Sequence, residues 1–282
     1  MTRRAFLAHA AALGTVGLAL SSCTVPIAPR ATQTAKGGGT LRVGRLEDIS
    51  LNGVPHLLAP ANFQLSNLVY DTLIVYDRQL VPQPRLATGW TWSPDYRQLS
   101  LQLRPGVKFH TGRAFTSEDA KFNLERLRDP AVGSQFRGYA NAMDISATAP
   151  DKLVISYEQP IRSSFDAITL TFMADPQTID QSRTGQNFVG TGPFVFEEWV
   201  QGDHLHVRRN AEYWQPGKPS LDRVELRVFQ DQQQALVALE SGAIDWMVGV
   251  AAADARRLQS DPGYQVLQNA AGSSYLYLGL DV

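Results

Sequence analysis

Apolar and polar residues alternate with a period of two in several short segments, a pattern typical of half-buried β-strands. The alternation is clearest around Leu101, Ile155 and Leu276. Shorter apolar runs predict further strands at residues 41–43, 194–196, 205–207 and 224–228. Other segments repeat apolar residues every three or four positions, which predicts helices over residues 62–75, 117–127, 161–172, 231–242 and 254–258. Strands and helices mix without regular alternation, so the pattern alone indicates an α/β or α+β fold.

Residues 99–127 (LSLQLRPGVKFHTGRAFTSEDAKFNLERL) hold the most informative local pattern. The alternating leucines lead into a Pro-Gly turn at residues 105–106, and the apolar positions 107 and 109 predict a second short strand. A Thr-Gly turn follows at residues 111–112. Thr116 or Ser117 then caps a helix whose first turn carries Glu118 and Asp119, the charge sign that the helix dipole favours.

That segment is one of six that together resemble a known family, the extracellular solute-binding proteins of family 5, which serve ABC importers. Each string is similar to a motif of the family, and the six occur in the family's order from about residue 40 onward. Besides residues 99–127 they are residues 68–73 (LVYDTL), 84–92 (PRLATGWTW), 190–194 (GTGPF), 210–221 (NAEYWQPGKPSL) and 239–245 (LESGAID).

The resemblance implies an α/β fold, a lobe of the periplasmic-binding-protein type II kind that carries an inserted α+β subdomain. Mapped onto this chain, the first lobe would comprise residues 40–60 and 187–282, and the insert residues 61–186. The family's proteins are about twice as long. We therefore expect the chain to be the N-terminal half of such a protein, with the second ligand-binding lobe missing after Val282.

The N-terminal residues predict export and lipid attachment. Residues 1–22 combine a twin-arginine pattern with an apolar run too short to span a bilayer comfortably, as in a signal peptide. The run ends in Leu-Ser-Ser-Cys, similar to a bacterial lipoprotein cleavage box with Cys23 as the lipidated residue. Residues 23–39 are rich in Pro, Thr and Gly and predict a flexible tether. Whether export uses the Tat or the Sec route stays open, as does an ordinary signal peptide with an accidental cysteine.

The chain carries no motif of a catalytic site: HExxH, a Walker loop and a GxSxG elbow are all absent from the sequence. His204 and His206 share one face of a predicted strand and could chelate a metal, but no third ligand lies nearby in sequence. We therefore predict no enzyme, no cofactor and no metal site. The net charge of −1, without a Lys/Arg cluster, indicates no nucleic-acid partner. His110 is expected to bond a backbone carbonyl.

The resemblance places candidate ligand-binding residues in three segments. One borders the pocket in the family, one lies on a loop of the insert that faces the cleft, and one is a strand near the hinge. Tyr213 and Trp214, by contrast, are expected to be structural. The candidates are Ala59, Pro60, Ala61 and Asn62 in the first segment, Phe136 and Tyr139 in the second, and Ser273, Ser274, Tyr275 and Tyr277 in the third.

In function, the resemblance implies a monomeric, lipid-anchored receptor that captures a small solute outside the cytoplasmic membrane and delivers it to an ABC permease. A peptide is the expected ligand, although the family also binds sugars, opines, glutathione and metal chelates. The alternatives are an enzyme or a sensor built on the same scaffold, or a non-functional truncated fragment. The protein would be periplasmic or located at the cell surface.

Overall fold

A computed structural model describes residues 37–52, 54–161 and 164–267. The strands are β1 (Thr40–Arg45), β2 (Ile74–Tyr76), β3 (Pro82–Pro84), β4 (Ala87–Trp92), β5 (Gln98–Leu103), β6 (Asp144–Ala149), β7 (Lys152–Ser156), β8 (Phe194–Val200), β9 (His204–Arg209), β10 (Arg223–Val228) and β11 (Trp246–Met247). The helices are α1 (Pro60–Val69), α2 (Ser117–Arg126), α3 (Arg137–Asn141), α4 (Ser164–Thr169), α5 (Ile179–Ser182), α6 (Gln232–Glu240) and α7 (Ala252–Gln259).

Five strands form a mixed sheet, here called the large sheet, in the order β11-β1-β10-β9-β8. β1 runs parallel to both of its neighbours, while β10, β9 and β8 pair antiparallel. Leu205 and Val207 on β9 are buried opposite Leu226 and Val224 on β10. Strands occur at all four of the short apolar runs, so those predictions are confirmed.

Four antiparallel strands form a second sheet, the small sheet, in the order β4-β5-β7-β6. The alternating residues Leu99 and Leu101 on β5 pair with Ile155 and Leu153 on β7, and all four are fully buried. Helix α2 packs against β6 and β7 and contributes buried residues such as Leu124 to the same hydrophobic cluster. The period-two pattern of this region therefore predicted the strands and their buried face correctly.

Two predicted helices were too long. Helix α1 ends at Val69, because Tyr70 is extended, with φ −121° and ψ 155°. The chain then forms a bridge between Thr72 and Phe172 and continues as β2. The same bridge takes Phe172 out of the helix predicted over residues 161–172, where α4 covers Ser164–Thr169 alone. The apolar residues beyond each helix end, such as Leu73 and Phe172, are therefore buried without being part of a helix.

The predicted second strand of residues 107–109 is instead a single bridge between Lys108 and Ala114. Thr116, one of the two predicted caps, precedes α2, and its backbone N–H donates to the Asp119 carboxylate at 2.8 Å. Asp231 caps α6 as predicted, by accepting from the Gln234 backbone N–H at 2.9 Å.

Buried residues of α1 belong to the hydrophobic cluster of the large sheet, together with Phe188 and Phe194. The division of the chain into a lobe and an insert at residues 61 and 187 stays a prediction. The signal peptide, Cys23 and the strand around Leu276 lie outside the described residues. Within the described part, no helix has both the length and the apolar character needed to cross a membrane.

Candidate ligand-binding site

The first candidate segment lies at the start of α1. Ala59 immediately precedes the helix and Pro60 is its first residue, where proline's fixed φ suits a helix start. Asn62 is buried, and its side-chain amide accepts from the Ser50 backbone N–H and donates to the Ser50 carbonyl, both at 2.8 Å. The Asn62 side chain therefore anchors the helix start, and the exposed Pro60 with the half-buried Ala59 and Ala61 is what this segment offers to a ligand.

The second candidate segment lies at the start of α3. Phe136 directly precedes the helix and Tyr139 is within it, with the two ring centroids 6.4 Å apart. Both side chains are half-buried and pack against the small-sheet cluster. The two rings are therefore held by packing while part of each stays accessible, which is how aromatic groups are presented to small ligands.

The structure brings these two segments together. The Leu58 backbone N–H, just before α1, donates to Gln135 Oε1, just before α3, at 3.4 Å. Residues separated by 77 positions thus meet at the two helix starts. The third candidate segment, with Ser273, Ser274, Tyr275 and Tyr277, lies outside the described residues.

Arg45, which the sequence analysis did not single out, also reaches this region. It is the last residue of β1, it is buried, and its Nη2 donates to the carbonyl of Ala61. Burial lowers the pKa of Arg45, and its Nε has no hydrogen-bond partner among the residues that the structure describes. The feature of the sequence that could have identified Arg45 is the position of a charged residue at the end of an apolar strand. The guanidinium thus ties the end of β1 to the start of α1.

A buried carboxylate joins four of the six family-like strings. Asp71 is fully buried, and four donors from three separate stretches of the chain surround it. They are Arg85 Nε at 2.6 Å, Thr191 Oγ1 at 3.0 Å, Tyr213 Oη at 3.1 Å and Trp214 Nε1 at 2.9 Å. Burial, and then the charge of Asp71, raise the pKa of the Tyr213 hydroxyl. These contacts join distant parts of the chain, which is the structural role predicted for Tyr213 and Trp214.

The remaining strings have the same structural role. His110 Nε2 lies 3.0 Å from the Gly192 carbonyl oxygen, which confirms the predicted backbone contact. Arg113 donates to Asp119 at 2.8 Å and to Asp175 at 2.7 Å. In the sixth string, Asp245 pairs with Arg42 of β1 at 2.9 Å. The motifs that resemble the family therefore mark contacts of the fold, and the candidate ligand-binding residues lie outside them.

Comparisons with known proteins agree with this architecture. The family described as "Bacterial extracellular solute-binding proteins, family 5 Middle" matches residues 81–282. Among curated proteins, the glutathione-binding protein GsiB of Escherichia coli O1:K1 is 29% identical over 216 residues, which are 73% of this chain and 42% of that protein.

Two solved structures have the same fold. One is the binding protein AgaA of A. tumefaciens R10 in complex with agropinic acid, with a TM-score of 0.72 and 27% identity. The matched region covers 79% of this chain and 46% of the AgaA chain. The Helicobacter pylori protein DppA, in complex with the peptide STSA, has a TM-score of 0.69 at 24% identity, with coverages of 80% and 49%. The chain thus spans somewhat less than half the length of these relatives.

Proposed function

Because the chain belongs to the bacterial extracellular solute-binding proteins of family 5, we propose that it is the ligand-capturing component of an ABC importer. The observation that carries this proposal is the family match over residues 81–282. The resemblance drawn from the sequence strings is confirmed by that match, and the fold class by the structural similarity. A solute would be bound outside the cytoplasmic membrane and handed to a permease in the membrane.

For the ligand we propose a peptide or a peptide-like small solute. The name of the E. coli relative states that it binds glutathione, which is itself a tripeptide, and the A. tumefaciens structure contains agropinic acid. The two joined helix starts suit such a ligand, because they offer the rings of Phe136 and Tyr139 and the exposed Pro60, with the Ala61 carbonyl held by Arg45. Apolar surface combined with a few fixed polar groups is the usual composition of small-ligand sites.

The capture step would follow from closure around the ligand. A ligand that contacts both sides of a cleft binds the closed form better than the open form, and it shifts the population by that difference in affinity. In our proposal, the segments at residues 59–62 and 136–139 form one wall of the cleft. Residues 273–277 belong to the same proposed site on the strength of the family resemblance.

Ligand binding can be tested on protein expressed from its complete coding sequence. Calorimetry with glutathione, mixed di- to hexapeptides and agropinic acid should give saturable heat for at least one of them. Mass spectrometry of the recovered ligand should show it chemically unchanged. A ligand that is converted by the protein would contradict the proposal in favour of an enzyme on the same scaffold, and no saturable heat with any of the three would contradict the proposed ligand class.

We further propose that Cys23 carries lipid and anchors the protein. Cys23 is the single cysteine of the chain and ends a string that resembles a lipoprotein cleavage box. Mass spectrometry of protein extracted from membranes should show an acylated Cys23 as the first residue, and Cys23→Ser should release the protein into the soluble exported fraction. A wild-type protein that keeps residues 1–22, or that is exported without lipid, would contradict this assignment.

A further inference from the structure

Three potential metal ligands lie on one face of the large sheet. His204 and His206 are two positions apart on β9, so their side chains point in the same direction. The regular pairing of β8 with β9 is interrupted between Phe196 and Glu198, and Glu198 lies directly opposite His206. Because paired residues share a face of the sheet, the interruption places Glu198 beside the two histidines. It supplies the third ligand that the sequence analysis did not find.

The separations of the three groups match those of a tetrahedral metal site. Glu198 Oε1 lies 2.8 Å from His206 Nδ1 and 3.5 Å from His204 Nε2. All three ligand atoms lie within 4.8 Å of one another. With bonds of about 2.0–2.1 Å to a central zinc ion, tetrahedral ligands are separated by about 3.3–3.4 Å. The observed distances lie on either side of that value, so small side-chain rotations would complete the geometry.

His204 is already oriented as a ligand. Its Nδ1 lies 2.9 Å from Asp203 Oδ2, and a proton shared there leaves the lone pair on Nε2. Nε2 is buried and makes no hydrogen bond to any described residue. A carboxylate that fixes the tautomer of a histidine from behind is a common second layer of zinc sites. The free nitrogen therefore lies where a metal ion would use it.

His206 has a conflict that a metal ion would resolve. Its Nδ1 is close to both the acceptor Glu198 Oε1 and the donor Arg223 Nη2, the latter at 2.9 Å. One neutral nitrogen cannot donate to the first and accept from the second at the same time. Arg223 also contacts Glu197 at 3.1 Å and Glu225 at 3.4 Å, so it keeps partners if it moves away from His206.

We propose that Glu198, His204 and His206 bind one divalent transition-metal ion, such as Zn²⁺ or Ni²⁺. Imidazole and carboxylate ligands suit these ions, and three protein ligands leave a fourth position for water. The side chain of Glu198 is 54% exposed, which gives the ion a path from solvent. The bound ion would link β8 to β9. This assignment is independent of the proposed transport function.

The test is calorimetric titration of the purified chain with ZnCl₂, in a Cys23→Ser background that removes the single thiol. One saturable site is expected. Asp203→Asn, which removes the carboxylate behind His204, should weaken binding about tenfold to a hundredfold. His204→Ala and His206→Ala, which each remove a ligand, should weaken it more than Asp203→Asn does. Glu198→Gln should also weaken it, whereas Glu47→Gln, which removes an exposed carboxylate elsewhere, should leave it unchanged. Co²⁺ should give a tetrahedral absorption band that His206→Ala abolishes.

Thermal unfolding provides the second measurement. Zn²⁺ should raise the melting temperature of the parent protein above its value in EDTA, since a ligand bound only by the folded state stabilises it. The histidine variants should melt normally in EDTA and show no such rise. Equal zinc affinity in the parent and in the double variant His204→Ala/His206→Ala would overturn the proposal, and so would a parent protein with neither saturable heat nor a temperature shift.

Discussion

Trp214 Nε1 donates a hydrogen bond of 2.9 Å to Asp71 Oδ2, although the two residues are 143 positions apart in the chain. Trp214 follows β9 and Asp71 follows α1, so the bond joins the region of the large sheet to the chain that leads into the small sheet. The guanidinium of Arg104 lies 4.3 Å from the centroid of the Trp214 ring and covers it. The indole is thus held at both its polar edge and its face.

Asp71→Asn should destabilise the protein strongly. The substitution removes the charge that neutralises Arg85 and directs a new amide donor into a site already filled with donors. Breaking one partner of a buried ion pair costs about 3–5 kcal/mol. Urea unfolding monitored by tryptophan fluorescence measures the free energy of unfolding. Asp180→Asn, which removes an 89% exposed carboxylate, is the matched control and should cost less than about 1 kcal/mol. Equal losses in the two variants would contradict the structural role of Asp71.

Gly190→Ala and Gly192→Ala should each destabilise the close contact between the end of α1 and residues 190–192. A Cβ at Gly190 would lie 2.3 Å from the Val69 carbonyl oxygen, and one at Gly192 2.6 Å from it. Because the obstacle is backbone, the chain itself must shift, and overpacking of this kind costs about 1–3 kcal/mol. Gly89→Ala is the control, since nothing lies within 4 Å of the added Cβ. If Gly190→Ala unfolds at the same urea concentration as Gly89→Ala, the close approach of the two segments is wrong.

His56 should make stability fall in mild acid. Burial, and then the nearby charge of Arg126, lower the pKa of His56 from about 6.5 to about 3. Between these values the unfolded chain binds a proton that the folded chain does not, so the free energy of unfolding falls as the pH drops below 6.5. At pH 5 the loss is about 2 kcal/mol. Urea unfolding at several pH values should show it.

His56→Gln should remove this part of the pH dependence while it keeps a polar side chain near Asn123, whose Oδ1 lies 2.8 Å from His56 Nε2. The comparison of slopes between pH 6.5 and 5 is independent of any constant loss of stability caused by the substitution. Parallel curves for the wild type and the variant would mean that His56 is protonated in the folded protein or accessible to water.

Local rules predicted much of the fold from the sequence. Leu99, Leu101 and Leu103 all face the core because a strand's side chains alternate between its faces. The helix cap at Asp231 could likewise be predicted, because the Asp231 carboxylate accepts from the backbone N–H of Gln234, only three positions away. Features set by neighbours within a few residues were therefore accessible to sequence reasoning.

Features set by distant parts of the chain were not predictable in this way. Just after the last residue of α1, Val69, the chain makes contacts that replace a further helical turn. Gly190 and Gly192 approach the Val69 carbonyl, and Asp71 accepts a hydrogen bond from Trp214, so the partners lie far along the chain. Glu198 reaches His206 only through the interrupted pairing of β8 with β9. Neither the approach nor the register leaves a local pattern in the sequence.

Tyr139→Ala should weaken ligand binding without unfolding the protein. If the half-buried ring contacts the ligand, its removal costs about 1–3 kcal/mol of binding, as for other truncated aromatic anchors. Tyr139→Phe, which keeps the ring, should bind nearly as well as the wild type. The measurement is calorimetry with the tightest of the tested solutes, on protein expressed from its complete coding sequence.

Two comparisons separate a ligand contact from a structural role. Tyr96→Ala, a tyrosine outside the candidate segments that is 39% exposed, should leave the affinity unchanged. The melting temperature without ligand should fall only modestly in Tyr139→Ala, because part of the ring packs against the small-sheet cluster. A large fall in melting temperature with unchanged affinity of the folded fraction would assign Tyr139 to the core, and the start of α3 would then not form a wall of the cleft.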